Sequence, residues 1–122
     1  MRGLKAYRNT RVDTASPSAV LVMLMESAVL KLESACGRET SEYAEFQADL
    51  HHVRSVYFEL IFALDDSTSP ELCAQLRALY TWCVRELMTA GRTRDLAKVE
   101  GVKRVTYTLQ EAWQEAVEQA SL

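Results

Sequence analysis

Asp49 and His52 are the residues whose types and spacing come nearest to metal chemistry. They stand three positions apart, so a helix would place both side chains on one face. A dinuclear metal site in a helical bundle needs two Glu-x-x-His turns and further inward glutamates. The other histidine, His51, points elsewhere on the same helix, and the predicted core positions hold no carboxylate. We therefore interpret Asp49 and His52 as part of a solvated polar face, and we expect no bound metal.

The three cysteines are the remaining candidates for covalent chemistry. Cys36, Cys73 and Cys83 are odd in number, form no Cys-x-x-Cys pair and have no histidine close in sequence to Cys73 or Cys83. They fall within helical patterns, so we predict reduced core or groove-lining residues in a cytoplasmic protein. No phosphate-loop, dinucleotide, zinc-protease or serine-hydrolase motif occurs. The chain is predicted not to be an enzyme and to need no cofactor.

Basic residues concentrate in one region, where acidic residues separate them. The cations are Arg85, Arg92, Arg94, Lys98, Lys103 and Arg104, and the anions among them are Glu86, Asp95 and Glu100. Phosphate binding needs several uncompensated charges, and the formal net charge of the chain is −3. We interpret the region as a solvated helix end and expect no nucleic-acid partner, although a nucleic-acid-binding regulatory module is the alternative from a different class. The apolar run from Val20 to Met25 is too short to insert into a membrane.

The elements that would position these side chains are helices. Only 4 Gly and 2 Pro occur among 122 residues, of which 48% are hydrophobic. Apolar positions repeat at three- and four-residue steps over four segments, predicted as helices at about 17–36, 41–64, 70–90 and 95–119. The predicted core positions are Leu21, Leu24, Ala28, Leu32 and Ala35 on the first helix, Tyr43, Phe46, Leu50, Val53, Tyr57, Leu60 and Leu64 on the second, Leu72, Leu76, Leu79, Cys83, Leu87 and Ala90 on the third, and Leu96, Val99, Val102, Val105, Leu109, Ala112 or Trp113, and Ala116 on the fourth.

Recognisable start and stop signals flank the four segments. The pairs Ser16-Pro17 and Ser69-Pro70 are typical of helix starts. The predicted cap residues are Thr40 or Ser41 for the second helix and Thr93 or Asp95 for the fourth, and the predicted stops are Gly37 and Gly91.

Short connections force consecutive helices to run antiparallel, so we predict an all-α, up-and-down four-helix bundle over residues 16–122. Residues 1–15 show no sustained helical period and form a predicted N-terminal arm or cap.

The first and last predicted helices carry more apolar side chains than one narrow buried stripe can hold. The surplus residues are Val20, Val22, Met23, Met25, Val29, Leu30, Tyr107 and Trp113. Four helices of this length are not expected to bury all of them, and methionine is adaptable at surfaces that accept helical partners. Either the arm covers a wide face of the first helix, or this face is a binding groove; a removable cover would reconcile the two.

A resemblance to a known family runs along nearly the whole chain. It is carried by Leu4-Lys5-Ala6-Tyr7, by Val12-Asp13-Thr14-Ala15-Ser16-Pro17 and by Met23-Leu24. Later residues in the same order include Ala28, Leu32, Leu64, Asp65, Leu76, Leu79, Tyr80, Arg85, Leu87, Ala90, Asp95, Val99 and Trp113. In these positions the sequence closely resembles the flagellar export chaperone family FliS.

The resemblance implies a four-helix bundle with an N-terminal cap and a function without ATP or metal. It implies binding of the disordered C-terminal region of flagellin in the cytoplasm, which prevents premature polymerisation, and delivery to the flagellar type III export apparatus. By the family pattern, Leu4 and Tyr7 are cap residues that cover the groove in the free protein. Val12, Leu21, Met25 and Tyr80 are wall residues on the same basis.

The sequence departs from the family pattern in three places. Met25-Glu26-Ser27-Ala28, Thr68-Ser69-Pro70 and Tyr80-Thr81-Trp82 stand where the family commonly has other residues. A divergent helical chaperone or adaptor for another export client is therefore the alternative function. A homodimer is also open, because the arm could dock on a neighbouring protomer as readily as on its own.

Overall fold

The computed structural model describes residues 17–120, and these form four helices without a strand. The helices are α1, Pro17–Gly37; α2, Tyr43–Phe62; α3, Pro70–Thr93; and α4, Leu96–Ala120. The predicted all-α bundle is confirmed. The predicted arm, residues 1–15, lies outside the described residues, as does the Ser16 cap.

Polar residues in the connections account for where α3 and α4 begin. Asp65 accepts hydrogen bonds from the backbone N–H of Ser67 at 3.0 Å and from the hydroxyls of Ser67 and Thr68, which closes the α2–α3 connection. Ser69 is at the N-cap position of α3, but its side chain makes no capping bond. Asp95 accepts from the Ala97 N–H at 3.1 Å, so Asp95 and not Thr93 caps α4.

The predicted glycine stops are wrong. Gly37 is still helical, and Gly91 lies inside α3, which continues to Thr93. The residue in the left-handed conformation is Arg94, with φ 56°, and its N–H bonds to the Ala90 carbonyl. Gly91 instead allows close packing, because an added Cβ would lie 3.0 Å from Gln47 Oε1, which would have to shift.

The predicted cap of α2 is also wrong. Its N-cap residue is Glu42, not Thr40 or Ser41. The Glu42 carboxylate accepts from the Glu39 N–H at 3.0 Å and from the Arg38 guanidinium at 3.2 Å. These bonds stabilise the α1–α2 connection and delay the helix start to Tyr43.

Each helix packs against its two neighbours in chain order, and α4 closes the ring against α1. Glu33 of α1 meets Tyr107 of α4, while Cys36 lies beside Glu100, so these helices run antiparallel. The core residues, drawn from all four helices, are Val20, Leu24, Met25, Ala28, Leu32, Ala35, Phe46, Leu50, Val53, Val56, Tyr57, Leu60, Tyr80, Cys83, Val84, Leu87, Ala90, Val99 and Val102.

Much of the predicted surplus on α1 is buried, so most of these side chains do not form an open apolar face. Val20, Val22, Met25 and Val29 are each less than 9% exposed. The reason is that α1 contacts both α2 and α4, so a single narrow stripe underestimates its buried surface. Among the described residues of the α1 surplus, Leu30 is the exposed one, at 64%.

Some predicted core positions near helix ends are exposed. Tyr43 and Leu72 are 63% and 54% exposed, and Leu96 is also exposed. Each lies within three residues of the start of its helix, where the neighbouring helix no longer covers it. Among the described residues, no helix is long and apolar enough to span a membrane.

Candidate functional site

An apolar cavity of about 220 Å³ opens at the end of the bundle where α1 and α3 begin. The ends of α2 and α4 complete its wall. Its lining residues are Leu21, Leu60, Ala63, Leu64, Asp65, Thr68, Ser69, Leu72, Cys73, Leu76, Tyr80 and Trp113. Because all four helices contribute, the cavity exists only when the bundle is assembled.

Aromatic side chains form the inner part of the cavity. Tyr80 is 1% exposed, and its ring packs against Tyr57 with centroids 5.7 Å apart. The Trp113 side chain lies close to the Tyr80 hydroxyl. Burial raises the pKa of Tyr80, while Trp113 opposes that shift. Tyr80 is therefore a neutral, buried aromatic surface at the inner end of the cavity.

The α2–α3 connection forms the polar edge of the cavity. The Cys73 thiol donates to the Asp65 carbonyl at 3.3 Å. Hydrogen bonds from Ser67 and Thr68 lower the pKa of Asp65, so its carboxylate stays charged and holds the turn. Leu72 stands on this edge, exposed to any molecule that enters.

The cavity is suited to binding apolar side chains. Its lining has no histidine, and the described residues contain no cluster of three or more His, Cys, Asp or Glu side chains that could hold a metal. A concave apolar surface with a polar edge is the usual form of a site that binds an apolar group.

Two of the six residues implied by the family resemblance lie on this cavity. Leu21 is half-buried in the wall, and Tyr80 lies deeper. Met25 is 1% exposed, belongs to the core and does not line the cavity, so its assignment as a wall residue stays a prediction. Leu4, Tyr7 and Val12 lie outside the described residues.

Sequence reasoning missed several wall residues. Leu60 and Leu76 were placed in core stripes, because helical spacing cannot distinguish a fully packed position from one beside a cavity. Leu72 was predicted to be buried for the same reason. One sequence feature does point to the cavity wall: Trp113 is among the apolar residues of α4 that lie outside one narrow buried stripe.

The prediction that Asp49 and His52 lie on a solvated face is wrong for Asp49, because this residue is only 2% exposed. Its carboxylate accepts from Arg38 Nε at 2.9 Å, which ties the α1–α2 connection to α2. His52 is half-buried and lies 3.0 Å from the Ser27 hydroxyl of α1. Both residues therefore hold α1 and α2 together.

The basic region is only partly a solvated helix end. The Arg94 guanidinium lies 4.9 Å above the Phe46 ring and donates to the Arg38 carbonyl. Lys98 pairs with Glu86 at 3.2 Å, and Lys103 pairs with Glu100 at 3.1 Å. Within residues 17–120, this leaves Arg85, Arg92 and Arg104 without an ion pair.

An all-α bundle whose candidate site is an apolar cavity belongs to the class of helical binding proteins. The family described as Flagellar protein FliS matches residues 1–120. The chain belongs to this family and is a FliS-type flagellar chaperone.

Two individual proteins show the same relationship. The flagellar secretion chaperone FliS of Escherichia coli (strain K12) is 26% identical over 127 residues, covering 99% of this chain and 93% of that protein. A crystal structure of a flagellar chaperone from bacteria shares the fold, with a TM-score of 0.75, 18% identity and 98% coverage of both chains.

Proposed function

We propose that this protein binds the disordered C-terminal region of flagellin in the cytoplasm and delivers it to the flagellar type III export apparatus. Family membership supports a flagellar client, and the apolar cavity among the four helix ends supports capture of apolar side chains. While the flagellin segment is bound to the chaperone, it is unable to pack against another flagellin molecule. Premature polymerisation is therefore prevented.

Binding is coupled to folding of the client. A disordered segment forms amphipathic helices on the chaperone and places apolar side chains in grooves such as the cavity beside Leu21 and Tyr80. Burial of apolar surface supplies the free energy, so the function needs neither ATP nor a cofactor. In the free protein, Leu4 and Tyr7 of the N-terminal arm cover the groove, and flagellin displaces them.

Exposed leucines allow a matched test of the cavity. Leu72 is 54% exposed and lines the cavity, whereas Leu30 is 64% exposed and does not. Leu72→Glu places a carboxylate on the apolar wall and should weaken binding on the order of tenfold or more. Leu30→Glu is the control and should leave the affinity unchanged. Neither substitution removes a core side chain, so both variants should fold.

The measurement is isothermal titration with the C-terminal segment of flagellin from the same genome. We expect one-to-one binding and a strongly negative heat-capacity change, the signature of apolar burial. Equal weakening by both substitutions would contradict the cavity as the site. No binding by the folded wild type would indicate another export client, and salt-dependent retention on nucleic acid would favour the regulatory alternative.

A further inference from the structure

The side of α3 that faces away from the bundle forms an open groove. This outer groove has a volume of about 560 Å³, and its lining residues are Ala74, Arg77, Ala78, Thr81, Trp82 and Arg85. Helix α3 packs against α2 and α4, and between those contacts Ala74, Ala78, Trp82 and Arg85 stay exposed. The described part of the bundle therefore leaves this face of α3 without a neighbour.

Small side chains form the floor of the outer groove. Ala74 and Ala78 are four residues apart, so they lie one above the other on the same side of α3. Each projects only a methyl group. Because the distance between two packed helices depends on the side chains at their contact, a second helix is able to approach the α3 backbone closely here.

Trp82 is the large apolar side chain of the outer groove, and 42% of it is exposed. It lies beside α4, because a Cβ at Gly101 would be 4.0 Å from Trp82 Cη2 and 3.9 Å from an Arg104 guanidinium nitrogen. The tryptophan ring edge and this guanidinium therefore flank the same point on α4. Exposed tryptophan and arginine side chains are the types that contribute most to binding at protein interfaces.

The charge around Trp82 is positive. Arg85 lies one helical turn beyond Trp82, and neither Arg85 nor Arg104 forms an ion pair with another residue of the described range 17–120. Arg77, one turn before Thr81, pairs with Asp66 at 3.1 Å on the exposed surface. Two cations are thus available to a carboxylate, and the surface pair of the third is weak enough to exchange its partner.

We propose that the outer groove binds an acidic helix of a partner protein. The apolar side of that helix packs on Ala78 and Trp82, and its carboxylates pair with Arg77 and Arg85. These two arginines are eight residues apart, which is about 12 Å along a helix. Acidic residues seven or eight positions apart on the partner therefore meet both guanidinium groups, the pairing that arginine makes most strongly.

Charge and shape favour this occupant over others. The N-terminal segment of this chain carries Arg2, Lys5, Arg8 and Arg11 against Asp13 alone, so like charges disfavour it in the outer groove. The net charge of −3 disfavours a phosphate polymer. A floor of small side chains also benefits only a molecule that comes close to the helix backbone, as a second helix does.

The outer groove is separate from the terminal cavity. Leu76 and Tyr80 line the cavity, whereas Ala78, which lies between them in sequence, is on the opposite side of α3. A client in the cavity and an acidic helix in the outer groove are therefore able to bind at the same time. This proposal does not depend on which client the cavity accepts.

The probe is a synthetic helical peptide of about 20 residues, with two glutamates eight positions apart and alanine and leucine between them on the same face. Its counterpart has lysine in place of both glutamates. Fluorescence anisotropy with the full-length protein should show binding of the glutamate peptide and not of the lysine peptide. Arg85→Glu should weaken binding of the glutamate peptide on the order of tenfold or more. The double change Arg77→Glu with Arg85→Glu should reverse the preference, so that the lysine peptide binds.

Two further variants separate a specific contact from general charge. Lys31→Glu makes the same charge change at an exposed cation of α1, across the bundle from α3, and should bind the glutamate peptide as the wild type does. Ala78→Gln keeps every charge but fills the floor of the outer groove, and should weaken binding on the order of tenfold. Both positions are exposed, and circular dichroism should show every variant folded.

Several results would overturn the proposal. One is a folded wild type that does not bind the glutamate peptide, and another is equal weakening by Lys31→Glu and Arg85→Glu. A third is tighter retention of a single-stranded oligonucleotide, or of vesicles that contain anionic lipid, with no effect of Ala78→Gln. Phosphate groups would then be the ligand of these arginines.

Discussion

The Tyr57 hydroxyl is enclosed by the core and finds its hydrogen-bond partner on another helix. It lies 2.5 Å from the Thr106 hydroxyl, which in turn donates to the Val102 carbonyl at 2.8 Å. Since the Thr106 proton is already used, Tyr57 donates to Thr106. Burial raises the pKa of Tyr57, so its phenol keeps this proton. One polar pair thus links α2 to α4 inside an apolar core.

A double-mutant cycle should show that the two hydroxyls are coupled. Thr106→Val leaves the buried Tyr57 hydroxyl with only the weaker sulfur of Cys83 and should cost about 1–3 kcal/mol of unfolding free energy. Tyr57→Phe should cost about 1 kcal/mol, since Thr106 still donates to Val102. The double variant should lose less than the sum in urea denaturation. Strict additivity would contradict the coupling.

His52 is the other residue whose environment was set by packing. Burial is the main cause that lowers its pKa, Lys31 acts in the same direction and Asp49 opposes them. The folded state therefore binds the proton more weakly than the unfolded state. Stability from neutral His52 is fully present above its ordinary pKa of 6.5 and is lost as the pH falls below it.

This predicts a pH-dependent contribution that belongs to one histidine. Between about pH 7.5 and pH 5.5, the unfolding free energy of the wild type should fall, and His52→Gln should reduce that fall. His51→Gln is the comparison variant: His51 is exposed and acts on the pKa of His52 only through its charge, so its slope should change less than that of His52→Gln. Denaturant titrations at several pH values provide the measurement. An unchanged slope for His52→Gln would refute the assignment.

At the scale of elements, the helices differ in how closely they approach each other. Gly91 allows α3 to approach α2, where Gln47 donates to the Gly91 carbonyl at 2.7 Å. Gly101 on α4 has no such constraint, because its nearest neighbours would lie 3.9 Å and 4.0 Å from an added Cβ. Two glycines that both lie inside helices therefore have different roles.

Alanine at the two glycines should separate these roles. Gly101→Ala should stabilise the protein by up to about 1 kcal/mol, because glycine is costly inside a helix. Gly91→Ala should give less stability or a loss, since Gln47 must move from its hydrogen bond. Thermal and urea unfolding of both variants would decide. Equal stabilisation by both substitutions would show that Gln47 moves at no cost.

For the molecule as a whole, the terminal cavity is the feature through which the described bundle would meet its proposed client. The cavity requires all four helices, so its shape depends on the complete fold. In the proposed function, Leu4 and Tyr7 of a predicted N-terminal arm cover this cavity in the free protein. Competition between arm and client for one apolar surface would make the chaperone responsive to its client.

Tyr7→Ala tests this competition. On the proposed role of Tyr7 as a cap, its loss should change the affinity for the flagellin segment, and the bundle should stay folded because the substitution leaves residues 17–120 unchanged. Titration calorimetry gives the affinity, and circular dichroism gives the helical content. An unchanged affinity in a well-folded variant would contradict the role of Tyr7 as a cap.

Fold class and approximate helix positions could be read from the sequence because they depend on local chemistry. Apolar spacing, Ser-Pro starts and short connections act within a few residues of each other. Motif order along the chain likewise pointed to the FliS family. Glycine stops were misread, since Gly91 serves a contact with Gln47, which lies 44 residues away in sequence.

Side-chain environments were decided by the tertiary structure. Asp49 is buried because Arg38 reaches its carboxylate, and most of the α1 surplus is buried because two helices cover it. Leu21, Leu72 and Trp113 surround one cavity although no local pattern relates them. The sequence by itself determined periodicity, helix count and family. Only the packing of four helices determined which apolar residues close the core and which leave a cavity, because that depends on contacts between distant segments.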